Sequence, residues 1–483
     1  MPALPPRALL LSSACLAVLI IQPGPARAQP APDRGAPAAK PAPAAKAAPA
    51  LTVLENGLRV VVVERRSAPL AALELRVRAG TAYETPENNG VAHFLEHVLF
   101  KGTTTRKRGE VDAEVESVGG ELTAETGKDW ARFATVVPAS AWRKTLHVLA
   151  DVVQNPALRP EDIDVERQVI LDEMASADTD PTRAPYGAVA SVAFPAEHPY
   201  RLSLYGPEAN VRRLKRDDLL AFWRARYTPG NMTLIAVGDV RRDDIVGAAR
   251  ALFPVPTPPA TAAPASAPAA VELPDPGPIS GAAARAAPLY RDRSLTTVVL
   301  AFRAPSVREW ADAVALDVLL NILATGGQGR FHEALVRKEG LALAVSADYL
   351  TQRAPGILTL TAIGPGASAP ALEAALLREV RRLRQDGVTD DEVDQGRRAL
   401  IGQILFDEET FSGQANSLGF YDAIDSFEFA ARYRERVAAV TTQDVARVIG
   451  QYLTPDRYAV ATMQPRSAAP PASETAPKVE ASR

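Results

Sequence analysis

One order of elements runs twice along this chain, and that repetition constrains the fold more than any single segment. In the first half, β-rich runs over 58–64 and 71–77 read as neighbouring strands. A helix follows around 90–100, then a second over 108–118, strands over 121–124 and 130–137, and helices over 141–153 and from 160 to about 175. Helical segments at 210–213 and 217–226, a buried strand at 232–237 and a closing helix at 242–252 complete it. Residues 254–279 are rich in Pro, Ala, Ser and Thr and form a linker. Beyond them come a strand (296–302), a helix (311–323), a Gly-rich loop (326–329) and strands at 341–349 and 356–363. Helices over 370–386, 390–412, 428–438 and 442–452 and a last strand at 458–463 then close the second half. Strands grouped with helices packed on them predict an α+β chain of two homologous domains, 51–253 and 280–465, each a mostly antiparallel sheet covered by helices.

The ends carry other information. Residues 1–28 read as a secretory leader: Arg7, an apolar run over 8–21, and Ala26-Arg27-Ala28 as a cleavage site before Gln29. That run is shorter than the roughly 20 residues a membrane span needs. Cleavage leaves no membrane span and removes Cys15, the chain's one cysteine, so the exported protein is built without disulfides. Export points to the periplasm. Residues 29–50 are an Ala/Pro-rich tether without hydrophobic periodicity, and 466–483 a polar tail. The net charge of −3, with Lys and Arg dispersed, gives no footprint for nucleic acid.

Only the first half contains His93-Phe94-Leu95-Glu96-His97. In a helix His93 and His97 are i and i+4, so both imidazoles leave one face and can meet a single zinc ion. Glu96 points to the same region and can take a proton from a water held there without being a ligand. Val91, Leu95, Val98 and Leu99 seat the helix in a core. The chain has only five histidines, and two stand at this spacing about a glutamate, which favours a metal motif over two satisfied core histidines. A catalytic zinc needs a third protein ligand. Glu166 and Glu173 share one side of the 160–175 helix, and Asp172 lies beside them; local physics leaves all three open, among many other carboxylates of the chain.

The stretches Arg78-Ala79-Gly80-Thr81-Ala82, Asn89-Gly90-Val91-Ala92 with the histidine motif and Phe100-Lys101-Gly102-Thr103, Gly119-Gly120-Glu121-Leu122, 166–173, Tyr227-Thr228-Pro229-Gly230-Asn231-Met232 and Gly238-Asp239-Val240 carry a resemblance. Across about residues 51–465 the chain resembles the inverted-motif zinc peptidases that include pitrilysin, insulin-degrading enzyme and mitochondrial processing peptidase, nearest their short two-domain bacterial branch. The resemblance implies one zinc per chain, held by His93, His97 and Glu173, with Glu96 as catalytic base and Glu166 supporting the site from behind. It implies hydrolysis of peptides or unfolded polypeptides, with Thr123 and Ala124 at the position that holds the substrate backbone. The family commonly has Asn-Ala there. The 130–137 segment is expected to take the substrate as an added strand.

A second departure concerns the partner. Self-sufficient members carry an Arg and a Tyr flanking a Gly-Leu pair in the second domain. Here Val336 and Leu343 occupy those positions, and Arg337 is one residue off. The resemblance therefore implies a paralogous subunit, lacking the zinc motif, that supplies the pair; losing one such donor costs on the order of 10²–10³ in rate. The alternative is a non-catalytic zinc-binding scaffold or regulatory subunit, which would have no use for Glu96.

Overall fold

A computed structural model describes residues 48–254, 272–281, 283–324, 327, 329–366 and 369–469. The leader, nearly all of the tether, the middle of the linker and most of the tail lie outside them. Among the described residues no helix is long and apolar enough to cross a membrane.

The first half comprises β1 (Ala50–Val53), β2 (Arg59–Glu64), β3 (Leu70–Val77), α1 (Val91–Leu99), α2 (Glu110–Glu116), β4 (Leu122–Thr126), β5 (Ala131–Pro138), α3 (Trp142–Gln154), α4 (Pro160–Thr179), α5 (Arg183–Ala193), α6 (Glu208–Arg213), α7 (Arg216–Arg226), β6 (Met232–Gly238) and α8 (Arg242–Leu252). The second comprises β7 (Ala283–Arg285), β8 (Leu289–Arg291), β9 (Leu295–Arg303), α9 (Trp310–Ala324), β10 (Ala344–Tyr349), β11 (Ile357–Pro365), α10 (Ala369–Asp386), α11 (Asp390–Asp407), α12 (Phe411–Ile424), α13 (Phe427–Ala439), α14 (Thr442–Tyr452) and β12 (Tyr458–Pro465).

The first sheet has the order β1-β2-β6-β3-β5-β4, and the second β10-β11-β9-β12-β7 with β8 also on β12. Read from the opposite end, the second repeats the first: β12 stands where β6 does, β9 where β3 does, and β10 where β4 does. In both, the closing strand runs parallel to one neighbour and antiparallel to the other. The chain is thus α+β with two homologous halves.

Two strand expectations fail here. β2 and β3 are not neighbours, because β6 lies between them. Every residue of β6 is buried, and a strand apolar on both faces belongs at a sheet centre. Nor can β5 accept an added strand, since β3 and β4 already flank it; the free edge is that of β4.

Two helices escape the hydrophobic pattern. The helix expected over 390–412 stops at Asp407, and Thr410 caps a new one, α12. No helix was expected over α5. Both are apolar on faces that meet the other half. Val189, Ala190 and Ala193 of α5 pack on Val299, Ala301, Ala459 and Ala461 of the second sheet. Ala415 and Leu418 of α12 pack on Val61, Ala72, Ile235 and Val237 of the first. Each half thus covers the other's sheet with one helix.

The α12 seat is also polar. Asp422 is fully buried and accepts from Arg59 Nε at 2.9 Å, Arg59 Nη2 at 2.7 Å and Thr233 Oγ1 at 2.6 Å. Arg78 donates to the carbonyls of Asp422 (2.9 Å) and Ala423 (3.3 Å), satisfying the helix end. Asp422→Ala strands these donors under the helix. It is expected to cost about 3 kcal/mol, read as a lower midpoint in chemical denaturation, with Asp422→Asn less severe.

Candidate metal centre and active site

The motif helix is fixed at its start. Gly90 takes φ 104°, where a side chain is strained, and an added Cβ would lie 2.4 Å from the Tyr205 carbonyl oxygen. The buried Glu84 carboxylate caps the helix, accepting from Asn89 Nδ2 (2.6 Å) and the backbone N–H groups of Gly90 (3.0 Å) and Ala92 (2.7 Å). Burial pushes Glu84 up to about 7 in spite of these donors. Val91, Leu95, Val98 and Leu99 face the core, as their spacing predicts. That turns His93 and His97 together toward α4, with ring centroids 4.7 Å apart.

α4 opens on Pro160, a residue preorganised for a first helical turn. Its two glutamates, two turns apart, divide the work. Glu173 Oε2 lies 3.8 Å from His93 Nε2 and 3.6 Å from His97 Nε2. Glu166 stands behind: its Oε2 is 3.2 Å from His97 Nδ1 and its Oε1 3.0 Å from Lys101 Nζ. Asp172 is exposed and accepts instead from Gln168 at 2.8 Å. Among the three acids left open by spacing, only Glu173 joins both histidines.

Two imidazole nitrogens and one carboxylate oxygen all lie within 4.8 Å of one another. Ligands about 2.0–2.1 Å from a tetrahedral ion sit roughly 3.4 Å apart, close to the distances seen. Nitrogen, nitrogen and oxygen is a donor set that zinc accepts, so the residues fit the ion.

The charges around the cluster are consistent with that fit. Burial, and then the neighbouring His97, hold His93 down to about 3, so it is a neutral donor at physiological pH. Burial also opposes charge on His97, but the Glu166 and Glu173 carboxylates outweigh it and push the imidazole up to about 9. A metal must displace that proton. His97 has an outer carboxylate partner; His93 Nδ1 is buried with no hydrogen-bond partner among the described residues.

Glu96 sits on the same helix, and Thr126 Oγ1 at the end of β4 donates to its Oε2 at 2.5 Å. Burial raises the Glu96 carboxyl to about 7, with the Thr126 bond pulling the other way. A carboxylate near neutrality can both take and return a proton.

Thr123 is exposed on the β4 edge, but its hydroxyl donates inward to the Ala134 carbonyl at 3.2 Å; Ala124 is half-buried beside it. In the second half, Val336 is half-buried against the core, Leu343 is exposed, and Arg337 pairs with Glu333 at 3.5 Å. Glu84, Thr126 and Tyr205 were missed from sequence. A carboxylate just ahead of the helix was the signal available for Glu84. Thr126 and Tyr205 gave none, because their contacts are made by tertiary packing.

Glu166→Gln is expected to weaken zinc binding about 10–100-fold, read by competition with a chromogenic chelator.

Comparison with known proteins identifies the family. The family model described as Insulinase (Peptidase family M16) matches residues 59–208, and that described as Peptidase M16 inactive domain matches 213–400. An uncharacterized zinc protease of Mycobacterium bovis is 31% identical over 430 residues, 86% of this chain and 92% of that one. The chain belongs to the M16 peptidase family.

A second M16 relative, a probable mitochondrial-processing peptidase subunit beta of Arabidopsis thaliana, is 28% identical over 429 residues, 86% of this chain and 78% of that one. The fold is that of a Helicobacter pylori protease crystal structure, with a TM-score of 0.79, 23% identity, and coverage of 87% of this chain and 100% of that one. The insulinase model's match spans His93 to Glu173, and the second half falls largely to the inactive-domain model.

Proposed function

We propose that this chain is a zinc metalloendopeptidase acting on peptides or unfolded polypeptides, and the metal-bearing subunit of a heterodimer. The observation that carries the peptidase reading is the convergence of His93, His97 and Glu173, with the half-buried Glu96 carboxylate beside them.

His93, His97 and Glu173 would hold one zinc. When bound, the ion polarises the attacking water and the scissile carbonyl. Glu96 accepts the water's proton as its oxygen adds to the carbonyl carbon, and delivers it to the leaving amine nitrogen. Thr126 holds Glu96 in place. Glu166 fixes the ring of His97 through Nδ1. The substrate lies along the free edge of β4, beside Thr123 and Ala124, as an added strand read through its backbone.

The partner supplies the Arg and Tyr that Val336 and Leu343 replace here. The surface pairing of Arg337 with Glu333 supports this, and the Arabidopsis relative is named as a subunit. The test is hydrolysis of a fluorogenic peptide by the zinc-loaded chain, alone and co-purified with a paralogue lacking the histidine motif. A rise of about 10²-fold or more on pairing is expected; full activity from the lone chain contradicts the heterodimer.

The reading of residues 1–28 as a secretory leader supports a periplasmic location. A mature N-terminus at Gln29, read by mass spectrometry of the exported protein, is the expected result.

A further inference from the structure

Tyr205 stands against the metal cluster and has no part in the mechanism above. Its ring meets the His93 imidazole edge-on, with centroids 4.9 Å apart and planes at 86°. It is half-buried, on the short segment between the turn at 199–201 and α6.

That segment is locked to the motif helix. Asn89 Nδ2 donates to the Ser203 carbonyl at 2.8 Å, and Asn210 Nδ2 to the Asn89 carbonyl at 3.2 Å. Gly206, at φ 74°, packs so closely that a Cβ would fall 2.0 Å from the Asn89 carbonyl oxygen. Tyr205 and His93 therefore ride on one rigid platform, the helix start that Glu84 caps.

The phenol is oriented from the other side. The Arg183 guanidinium and the Glu173 and Glu96 carboxylates are all close enough to act on its hydroxyl electrostatically. Arg183 is the first residue of α5, whose start is fixed by Asp180 Oδ1 accepting from the Thr182 and Arg183 N–H groups, both at 2.8 Å. α5 is the helix that packs on the second sheet. The helix that the motif-bearing half lays on the second sheet thus also brings a cation close to Tyr205.

A guanidinium can only donate, so toward Arg183 the Tyr205 hydroxyl can act only as acceptor, which leaves its own proton free to donate. A donor beside the ligand set meets the need that arises as the carbonyl oxygen gains charge. We propose that Tyr205 is a catalytic residue that donates a hydrogen bond to the scissile carbonyl oxygen, with Arg183 as its positioning residue. This rests on the peptidase reading but not on the partner: Tyr205 gives the lone chain its basal turnover, and the partner's pair adds to it.

The experiment uses the full zinc-loaded chain, with Tyr205→Phe and Arg183→Ala. The readouts are peptide turnover, zinc content, and affinity for a phosphinic pseudopeptide, whose tetrahedral phosphorus stands for the attacked carbon and whose phosphinyl oxygens carry the charge that the carbonyl oxygen acquires. For Tyr205→Phe, kcat and phosphinic affinity are expected to fall together by about 10²-fold. KM and zinc content stay within about twofold of wild type, since neither a ground-state contact nor a ligand is lost. Arg183→Ala follows in the same direction with a smaller loss. Wild-type kcat and phosphinic affinity in Tyr205→Phe overturn the proposal; so does loss of zinc, which would mean that Tyr205 acts only by packing on His93. A wild-type chain inert toward every peptide, alone and with its paralogue, overturns the peptidase reading itself and the proposal with it.

Discussion

Glu96→Gln is expected to bind zinc with wild-type stoichiometry and to hydrolyse peptides about 10²–10⁴-fold more slowly. The substitution is close to isosteric. The amide oxygen can still accept from Thr126 Oγ1, so the side chain keeps its place, and His93, His97 and Glu173 are untouched. What disappears is basicity: an amide cannot take a proton from the attacking water. Burial already disfavours charge on Glu96, so the neutral amide removes a strain, and the metal-free variant should melt no lower than wild type. Hydrolysis, bound zinc and a melting curve on one preparation check all three. A variant that hydrolyses as fast as wild type would remove Glu96 from the mechanism.

The second large effect belongs to the metal. Glu173→Gln is expected to lower zinc affinity by at least about 10²-fold, beyond the usual effect of an outer partner, and to abolish turnover at limiting zinc. Glu173 is the only one of the three neighbouring acids that reaches both imidazole Nε2 atoms. Glu166 touches the far nitrogen of His97, and Asp172 faces solvent. Zinc affinity across Glu173→Gln, Glu166→Gln and Asp172→Asn should therefore fall steeply, moderately and not at all. Chelator competition on the three purified variants gives the order. Equal effects at 173 and 172 would break the assignment of the third ligand.

The histidine pair, the base and the two-turn spacing of Glu166 and Glu173 were legible because each lies on one helix, where sequence spacing is spatial spacing. Choosing Glu173 over Glu166 and Asp172 needed either the family resemblance or the structure. It depends on how α4 crosses α1, which no local pattern encodes. The same limit explains the strands. Periodicity located β2, β3 and β6 but not their order, so the insertion of β6 and the closed position of β5 appeared only in the sheet. α5 and α12 were missed for a related reason: each packs on the half to which it does not belong in sequence. Tyr205 reaches His93 through that kind of long-range packing, with a tight glycine approach at each end.

Anomalous diffraction at the zinc edge, on crystals of the zinc-loaded protein, tests the central claim most directly. One peak per chain is expected, about 2.0–2.2 Å from His93 Nε2, His97 Nε2 and a Glu173 carboxylate oxygen, with Glu96 outside bonding distance. No peak there, or a peak ligated by Glu166 or Glu96 in place of Glu173, would contradict the account.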